Sequence, residues 1–462
     1  MLKFAEIMAN SKYLTTPVDT DRMPPGVPFI VGNEAAERFS FYGMRAILVV
    51  FMTHYLMGAN GQPDHMTEPR AREWFHLFVA SAYFFPLFGA VIADVFWGRY
   101  RTIMILSVVY CLGHLALSFN DTRAGLLVGL SLIAIGSGGI KPCVSANVGD
   151  QFGARNQHLL PRIYGWFYFS VNIGSFLSML LIPYLLEHAG PHVAFGTPGV
   201  LMLVATIIFW LGRNEFTHVP PGGMQSVRDA FDPKGLKSIA GLLVIFAFIA
   251  MFWSLYDQCS SAWVQQAEKM DLRILGFELT ASQYQATNPL LILIYIPLFT
   301  YGIYPVINMV FPLTALRKIS IGFFLTAASF VVPAWIEVLL QRGEKPTIWW
   351  QLLAYTFLIA GEIMVSITGL EFSYTQAPKR LKSMIMSFFL AAVTVGNLFT
   401  SAVNYFIQNP DGSSKLSGVN YYLFFAGLMF VTAVIFIFVA MFYQEKPLAE
   451  SSPDGPHVPS LG

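Results

Sequence analysis

The sequence has 462 residues, of which 55% are hydrophobic and only 12% are charged, with a mean hydropathy of +0.56. Soluble globular proteins carry about 25% charged residues, so this composition excludes a soluble enzyme and indicates a polytopic membrane protein. The formal net charge of +1 gives no reason to expect a nucleic-acid partner. The cysteines, Cys111, Cys143 and Cys259, are odd in number and lie in apolar segments, so we interpret them as small buried hydrophobic residues.

Apolar segments recur along the whole chain, and a membrane-spanning helix needs about 20 predominantly apolar residues. Twelve segments meet that need: 28–57, 72–97, 102–119, 124–148, 161–187, 195–213, 238–267, 287–311, 319–341, 347–376, 381–408 and 419–443. The sequence therefore predicts an all-α membrane protein with twelve transmembrane helices.

The longest break between spans, at 214–237, contains Pro220-Pro-Gly-Gly223 and divides the chain into six spans plus six. The predicted domains are an N-terminal tail (1–27), an N-terminal six-helix bundle (28–213), a linker (214–237), a C-terminal six-helix bundle (238–443) and a C-terminal tail (444–462). Roughly twice as many lysines and arginines fall on the side of both tails as on the opposite side. Because cytoplasmic loops are the basic ones, we expect both termini and the linker in the cytoplasm.

The first predicted span carries four ionisable residues where apolar ones are expected. A charged group at mid-helix costs roughly 2.5–3.5 kcal/mol on insertion scales, so such residues usually face a cavity and act there. Glu34, Arg38 and Arg45 share one helix face, and Glu37 and Tyr42 flank it. These acids and bases can neutralise each other or leave a charge for a substrate.

The end of the second span, Gly89-Ala-Val-Ile-Ala-Asp94-Val-Phe-Trp-Gly98-Arg99-Tyr-Arg101, resembles the signature loop of the major facilitator superfamily. Its glycines permit close helix approach, and we expect Asp94 to tether the basic turn. That resemblance implies a substrate site near the midplane, between two six-helix halves that rock against each other.

Two further spans carry a titratable residue at depth. His76 and Tyr83 are two helical turns apart and share a face, which suits a proton relay; an inert, hydrogen-bonded histidine is the alternative. Lys141 follows Gly136-Ser-Gly-Gly139 and precedes Pro142, so it lies where a helix bends and leaves room beside it. The alternative for Lys141 is an ion pair that only locks two helices together.

In the second half, Trp253, Asp257 and Ser260 share one helix face, and Asp257 needs a cation or a proton in the membrane. Glu362 and Glu371 are nine residues apart, which is about 180° around a helix. They cannot both face one cavity from a regular helix, so one of them is structural.

The sequence contains no enzyme signature: no metalloprotease motif, no phosphate-binding loop and no serine nucleophile elbow. We therefore expect a protein that is not an enzyme, has no cofactor or metal and draws its energy from an ion gradient. The balanced acids and bases suit a charged or zwitterionic substrate with proton coupling.

Taken together, several motifs resemble those of the proton-coupled oligopeptide transporter (POT, or PTR2) family along nearly all spans. The matching segments are Glu34-Ala-Ala-Glu37-Arg38-Phe-Ser-Phe41-Tyr42-Gly43, Gly139 to Phe152, Phe167 to Ser175, Phe252-Trp253 with Asp257-Gln258, Asn288-Pro289, and Gly369 to Gln376. The resemblance implies a symporter that imports di- and tripeptides with protons by alternating access.

The resemblance also implies roles for single residues. Arg38 and Lys141 would hold the peptide carboxylate, Glu371 the amine, and Trp253 would line a side-chain pocket. The residues expected to hydrogen-bond the peptide backbone are Tyr42, Tyr83, Asn172 and Asn288. The residues expected in proton coupling and gating are Glu34, Glu37, Arg45, His76 and Asp257, with Arg45 paired to Asp257.

The chain departs from the family pattern at Phe41, where the family has a tyrosine, and this affects fine selectivity. It has room for neither two extra helices between the halves nor a large domain between spans 9 and 10. We therefore expect a bacterial-type symporter in the inner (plasma) membrane, in contact with the lipid bilayer and with no obligate protein partner. The alternatives are uptake of another small anion or zwitterion such as nitrate, a non-transporting sensor on this scaffold, and, least favoured, a membrane enzyme.

Overall fold

The structure is a computed structural model that describes residues 13–221, 223, 233–376 and 382–443. Residues 1–12 of the predicted N-terminal tail, the whole predicted C-terminal tail (444–462), and residues 222 and 224–232 of the predicted linker lie outside the described residues.

The first half is built from five helical segments. They are α1 (Val27–Val50), α2 (Glu68–Val91), α3 (Arg99–Phe119), α4 (Arg123–Gly149) and α5 (Leu160–Leu211). Single π-helical turns extend α1 through Phe51–Tyr55 and α2 through Ile92–Trp97, and short 3₁₀ turns at Gln157–Leu159 and Gly212–Asn214 flank α5. Helix α5 breaks at Gly190, whose φ of 82° and ψ of 174° are not helical and which precedes Pro191. It therefore contains both the fifth and the sixth predicted span.

Among the described residues, the second half is built from nine helices of unequal length. They are α6 (Pro233–Tyr256), α7 (Ala262–Ala267), α8 (Thr287–Leu298), α9 (Tyr304–Val310), α10 (Ala315–Gln341), α11 (Trp349–Glu362), α12 (Thr368–Gln376), α13 (Lys382–Phe406) and α14 (Val419–Phe442). The 3₁₀ turn Asp257–Ser260 joins α6 to α7, and Ala281–Ala286 leads into α8. The π-helical turns Phe299–Ile303 and Ile363–Ile367 join α8 to α9 and α11 to α12. A two-stranded hairpin, β1 (Arg273–Ile274) and β2 (Phe277–Glu278), lies between α7 and α8.

The prediction of an all-α polytopic membrane protein is confirmed. Ten helical segments among the described residues are long and apolar enough to cross a membrane. The segment Gln157–Asn214 counts once despite its break, and α1 is not among the ten. The count of twelve spans stays a prediction.

Each half has its own hydrophobic core. Phe41, Phe75 and Tyr110 are fully buried among α1 to α5, whereas Trp263 and Phe323 are fully buried in the second half. We call the end of the molecule that carries residues 150–159 and 212–221 the tail side. The opposite end, with residues 56–67, 268–280, 342–348 and 407–418, is the far side.

Glycines set the spacing of α2, α3 and α4 around the predicted lysine site. A Cβ on Gly89 would lie 2.5 Å from the Cα atom of Gly139, and one on Gly138 would lie 2.3 Å from Cβ of Phe85. A Cβ on Gly139 would lie 1.7 Å from a methyl carbon of Leu106. Helices α2 and α4 can therefore touch at Gly89 only because this position lacks a side chain, which agrees with the close helix approach expected from the glycines at the end of the second span.

The basic turn after α2 has a stronger partner than the one expected. Arg99 contacts both carboxylate oxygens of Asp150 at 2.5 Å, whereas its closest approach to Asp94 is 3.7 Å. Because Asp150 follows α4, this ion pair ties the turn to a second helix. Asp94 contributes less than the sequence suggested because its side chain is half exposed.

Candidate functional site

A central cavity of about 100 Å³ lies between the two halves. Seven residues predicted for the site line it: Tyr42, Arg45, Tyr83, Asn172, Trp253, Asp257 and Asn288. The first four belong to α1, α2 and α5, and the last three to α6, the turn after it and α8. The structure thus brings together side chains from both halves at one place, as alternating access requires.

Arg38 lies between two carboxylates of its own helix. Its Nε atom is 2.7 Å from Glu34 Oε1 and 3.3 Å from Glu37 Oε2. Both glutamates are buried, and neither Glu34 Oε2 nor either oxygen of Glu37 has a hydrogen-bond partner among the described residues. Two carboxylates therefore share one guanidinium, which leaves this cluster with room for a proton or another cation.

Lys141 contacts aromatic rings instead of a carboxylate. Its Nζ atom lies 3.7 Å from the ring centre of Phe41 and 4.4 Å from that of Tyr83, and it has no hydrogen-bond partner in the described part of the chain. An ammonium over an aromatic face is held by the negative charge of that face. The predicted alternative, a lysine locked in a helix–helix ion pair, does not match this geometry.

A chain of polar contacts crosses from one half to the other beside the cavity. Arg45 pairs with Asp257, as predicted. The other carboxylate oxygen of Asp257 accepts a hydrogen bond of 2.7 Å from the amide of Asn397 on α13. His76 then contacts Asn397 Oδ1 at 2.7 Å through Nδ1 and Ser261 Oγ at 2.9 Å through Nε2.

These contacts assign the histidine tautomer. The amide nitrogen of Asn397 donates to Asp257 and to the Val393 carbonyl, so its oxygen faces His76. His76 therefore donates from Nδ1 to that oxygen, and its Nε2 accepts from the Ser261 hydroxyl in the neutral ring or donates to it in the protonated ring. His76 is a fully buried member of the inter-half network.

The opposite wall of the cavity carries Glu362. Its Oε2 atom is buried and has no hydrogen-bond partner among the described residues. Asn288 donates a hydrogen bond of 2.7 Å to the Tyr256 hydroxyl, which lies beside the Glu362 carboxylate. Trp253 also presents a buried Nε1 with no described partner. Unpaired polar groups are costly in a protein interior, so this wall is arranged for a polar ligand.

Glu362 lines the central cavity, whereas Glu371, the expected amine ligand, does not line it in this conformation. Glu371 is exposed on α12, nine residues beyond Glu362 and toward the tail side, and it does not line the cavity. The π-helical turn Ile363–Ile367 separates the two glutamates but does not bring both to one face. Of the two glutamates, Glu362 is the one that lines this cavity, and the role expected for Glu371 stays a prediction.

The far side of the molecule is closed by further contacts between the halves. Arg72 donates hydrogen bonds of 2.9 Å to Asn404 and to Gln265, and His54 contacts Glu268 at 3.1 Å. Burial raises the pKa of the Glu268 carboxyl, an effect that His54 partly opposes. This end of the boundary between the halves is sealed in the present conformation.

Three residues of this region do not stand out in the sequence: Asn397, Ser261 and Tyr256. An unpaired amide in an apolar span is costly, but far less so than a charge, so Asn397 gives a weaker signal than the ionisable residues. The motif containing Asp257 drew attention to one helix, but the partner on α13 stands 140 residues later. Only the packing of α13 against α2 brings Asn397 to His76.

Comparison with known proteins gives likenesses along both halves. A family model described as the POT family (PTR2) matches residues 100–232 and 224–420. Peptide transporter family 1 of Drosophila melanogaster is 38% identical over 369 residues, which cover 69% of this chain and 48% of that protein. Human solute carrier family 15 member 2 is 33% identical over 400 residues, or 75% and 54% of the two chains. The chain spans about half the length of these curated relatives.

Among solved structures, the crystal structure of the POT family transporter PepTSo aligns with a TM-score of 0.84 at 36% identity. The alignment covers 92% of this chain and 99% of that one. The likeness therefore includes both bundles and the cavity between them.

Proposed function

We propose, from the premise that this chain belongs to the POT family, that it imports di- and tripeptides with protons by alternating access. One observation carries the proposal: one wall of the cavity between the halves carries the Glu362 carboxylate, whose Oε2 atom has no described hydrogen-bond partner, and the ammonium of Lys141, which has no described hydrogen-bond partner either, lies next to Tyr83 of the other wall. A short peptide is a zwitterion and matches both charges. Glu362 opposes the binding of a small anion such as nitrate, because it would repel it.

The cavity supplies a partner for each part of a peptide. The amine of the peptide would bind Glu362, and the carboxylate of the peptide would bind Lys141. Arg38 lies nearer the tail side, in the cluster with Glu34 and Glu37. Tyr42, Tyr83, Asn172 and Asn288 would hydrogen-bond its backbone, and Trp253 would contact a side chain. The proposal thus replaces Glu371 by Glu362 as the amine ligand.

Peptide binding requires the halves to move. Small-molecule sites usually hold about 300 Å³ or more, which is larger than the central cavity of about 100 Å³. A peptide can enter only if the cavity widens toward one side. Since the far side is sealed, the conformation described here would open toward the tail side, which we assign to the cytoplasm of a bacterial inner membrane.

Proton coupling would act on the two acid–base groups. A proton on Asp257 would weaken its contact with Arg45, and the seal between the halves would open. A proton on Glu34 or Glu37 would neutralise that carboxylate and weaken its ion pair with Arg38. The Arg38 guanidinium would then be available to bind the peptide carboxylate. No cofactor takes part in this proposal: a membrane potential of 100 mV supplies about 2.3 kcal/mol for each proton.

Uptake by the purified protein in liposomes tests the proposal. We expect labelled dialanine to accumulate when an inward pH gradient is imposed, and unlabelled dipeptides but not nitrate to compete. Glu362→Gln should weaken dialanine binding by about tenfold or more, since a charge-assisted hydrogen bond contributes about 1.5–3 kcal/mol.

The matched control is Glu371→Gln, which removes the same charge outside the cavity and should transport as the wild type does. N-acetylated dialanine, which lacks the ammonium group, should bind the wild type and Glu362→Gln equally. No peptide flux in liposomes would refute the function, and a stronger effect of Glu371→Gln than of Glu362→Gln would refute the amine site.

A further inference from the structure

A second cavity, of about 290 Å³, lies on the far side at the boundary between the two halves. Arg72 and Glu68 reach it from α2, and Gln266, Lys269, Glu337 and Tyr421 reach it from the second half. The inter-half network of Arg45, Asp257, Asn397 and His76 does not line it. It is a separate space with nearly three times the volume of the central cavity.

The wall formed by the first half carries a positive charge with neutral partners. Arg72 is only 7% exposed, and it donates to the amide oxygens of Asn404 and Gln265, both at 2.9 Å. Its guanidinium lies 4.5 Å from the ring centre of Tyr421. The closest carboxylate oxygen, on Glu68, is 3.9 Å away and belongs to a side chain that is 44% exposed. The charge of Arg72 is therefore poorly compensated at close range.

The wall formed by the second half carries a negative charge with a neutral partner. Glu337 accepts a hydrogen bond of 2.8 Å from the amide nitrogen of Gln266. Within the described ranges, no lysine or arginine nitrogen lies within 4 Å of this carboxylate. Gln266 itself is 1% exposed, and its Oε1 atom has no described hydrogen-bond partner.

Lys269 differs from these groups because it has a close partner. Its Nζ atom lies 2.8 Å from Glu68 Oε1, and both side chains are about half exposed at the mouth of the cavity. This pair is close to neutral. The cavity is thus left with one positive group, Arg72, and one negative group, Glu337, on walls that belong to different halves.

We propose that the far-side cavity binds a small zwitterion of amino-acid or dipeptide type, separately from the central cavity. The ligand carboxylate contacts Arg72, and its ammonium contacts Glu337. A purely anionic ligand is disfavoured by Glu337, and a purely cationic one by Arg72. The volume of about 290 Å³ lies at the lower end of small-molecule sites, which suits a ligand of this size.

Occupancy of this site has a consequence for transport, which rests on the proposed function. The site is complete only while α2 lies against the second half at the far side. A ligand that contacts both walls binds this conformation more tightly than one in which the far side is open, so it shifts the population toward the closed far side. Peptide at high concentration on the far side should therefore slow its own uptake.

Binding of labelled dialanine to the purified full-length protein by equilibrium dialysis tests the proposal. The wild type should bind two molecules per chain. Glu337→Gln keeps the acceptor for Gln266 but removes the charge, and it should weaken one of the two sites by about tenfold or more. Glu344→Gln, which removes an exposed carboxylate shortly after α10, is the matched control and should keep both sites.

The two proposals fail in different ways in this experiment. A wild type that binds a single dialanine, or a Glu337→Gln variant that binds two as tightly as the wild type, overturns the far-side site. Loss of one site in Glu337→Gln together with no effect of Glu362→Gln supports the far-side site and contradicts the central amine site.

Initial uptake rates supply a second readout. In the wild type, the rate should pass through a maximum and then fall as external dialanine rises, whereas in Glu337→Gln it should level off without falling. The same decline in both proteins contradicts the inhibitory role of the far-side site. Thermal unfolding of both variants verifies that they are folded.

Discussion

At the scale of single residues, the contact between Phe41 and Lys141 explains how the chain accommodates a lysine without an ion pair. The ring centre of Phe41 lies 3.7 Å from the ammonium, and Phe41 is fully buried. A tyrosine at this position would offer the same face with a hydroxyl added. The family departure at Phe41 therefore removes one hydrogen-bonding group but keeps the cation–π contact.

This contact predicts the effect of two substitutions. Phe41→Leu removes the aromatic face, which contributes about 2 kcal/mol in a desolvated site, and Lys141 loses its fixed position. We expect dialanine binding to weaken by about tenfold, measured as the KM for uptake in liposomes. Phe41→Tyr keeps the face and should change KM by no more than about twofold.

The thermal unfolding temperature of both variants separates binding from folding. If Phe41→Leu is folded and its KM equals that of the wild type, the ring does not position Lys141 for the substrate.

Most individual site residues could be predicted from the sequence, because a charge within an apolar span is conspicuous. Arg45, Asp257 and His76 were found in this way, and the structure places them in one network. The choice between Glu362 and Glu371 could not be made, since the orientation of a helix about its axis depends on its neighbours. Asn397 could not be predicted as a site residue, because a neutral amide in an apolar span indicates a functional contact only when its hydrogen-bond partners are known.

At the scale of helices, the close crossing of α2 and α4 depends on Gly89. A Cβ there would lie 2.5 Å from Cα of Gly139 and 2.7 Å from the carbonyl oxygen of Gly138. Backbone atoms cannot move aside as a flexible side chain can. Two helices must therefore separate if any side chain is added at this point.

We expect Gly89→Ala to destabilise the protein by about 1–3 kcal/mol through overpacking, and to lower its thermal unfolding temperature. Gly427→Ala in α14 is the matched control, because its Cβ would meet nothing within 4 Å. Both substitutions share the gain in helix propensity of up to about 1 kcal/mol, so their difference isolates the clash. Equal unfolding temperatures for the two variants would mean that the crossing tolerates a methyl group.

The sequence predicted the positions of the helices well, but it did not predict their π-helical turns and breaks. The apolar runs predicted where α3, α4, α10 and α14 lie within a few residues. The π-helical turns and the division of the second half into short helices depend on local packing, which hydropathy does not report. The break in α5 was predicted as a gap between two spans, and its position at Gly190-Pro191 follows from backbone chemistry.

At the scale of the whole molecule, the halves are joined on the far side, and the proposed transport cycle requires them to separate there. His54 on the extension of α1 contacts Glu268 beyond α7, so this pair connects the two halves. We expect His54→Cys combined with Glu268→Cys to lose peptide uptake when a short bifunctional thiol reagent joins the two positions. Uptake measured before and after the reaction is the readout.

The matched control joins two positions within one half. Asp64 and Arg123 form an ion pair of 2.5 Å on the same side of the molecule, and both belong to the first half. Cross-linking Asp64→Cys to Arg123→Cys should leave uptake unchanged, because these positions move together. If both cross-links have the same effect on uptake, the far side does not open during the cycle.

The small volume of the central cavity also means that the protein in this conformation should conduct neither ions nor protons across the membrane. The cavity volume of about 100 Å³ leaves room for only a small number of water molecules. The Arg45–Asp257 pair lines this cavity and is linked through Asn397 to the buried His76, and the contacts of Arg72 and His54 close the far side. A membrane carrying many copies of this protein should therefore keep its electrical resistance and its pH difference while no peptide is present.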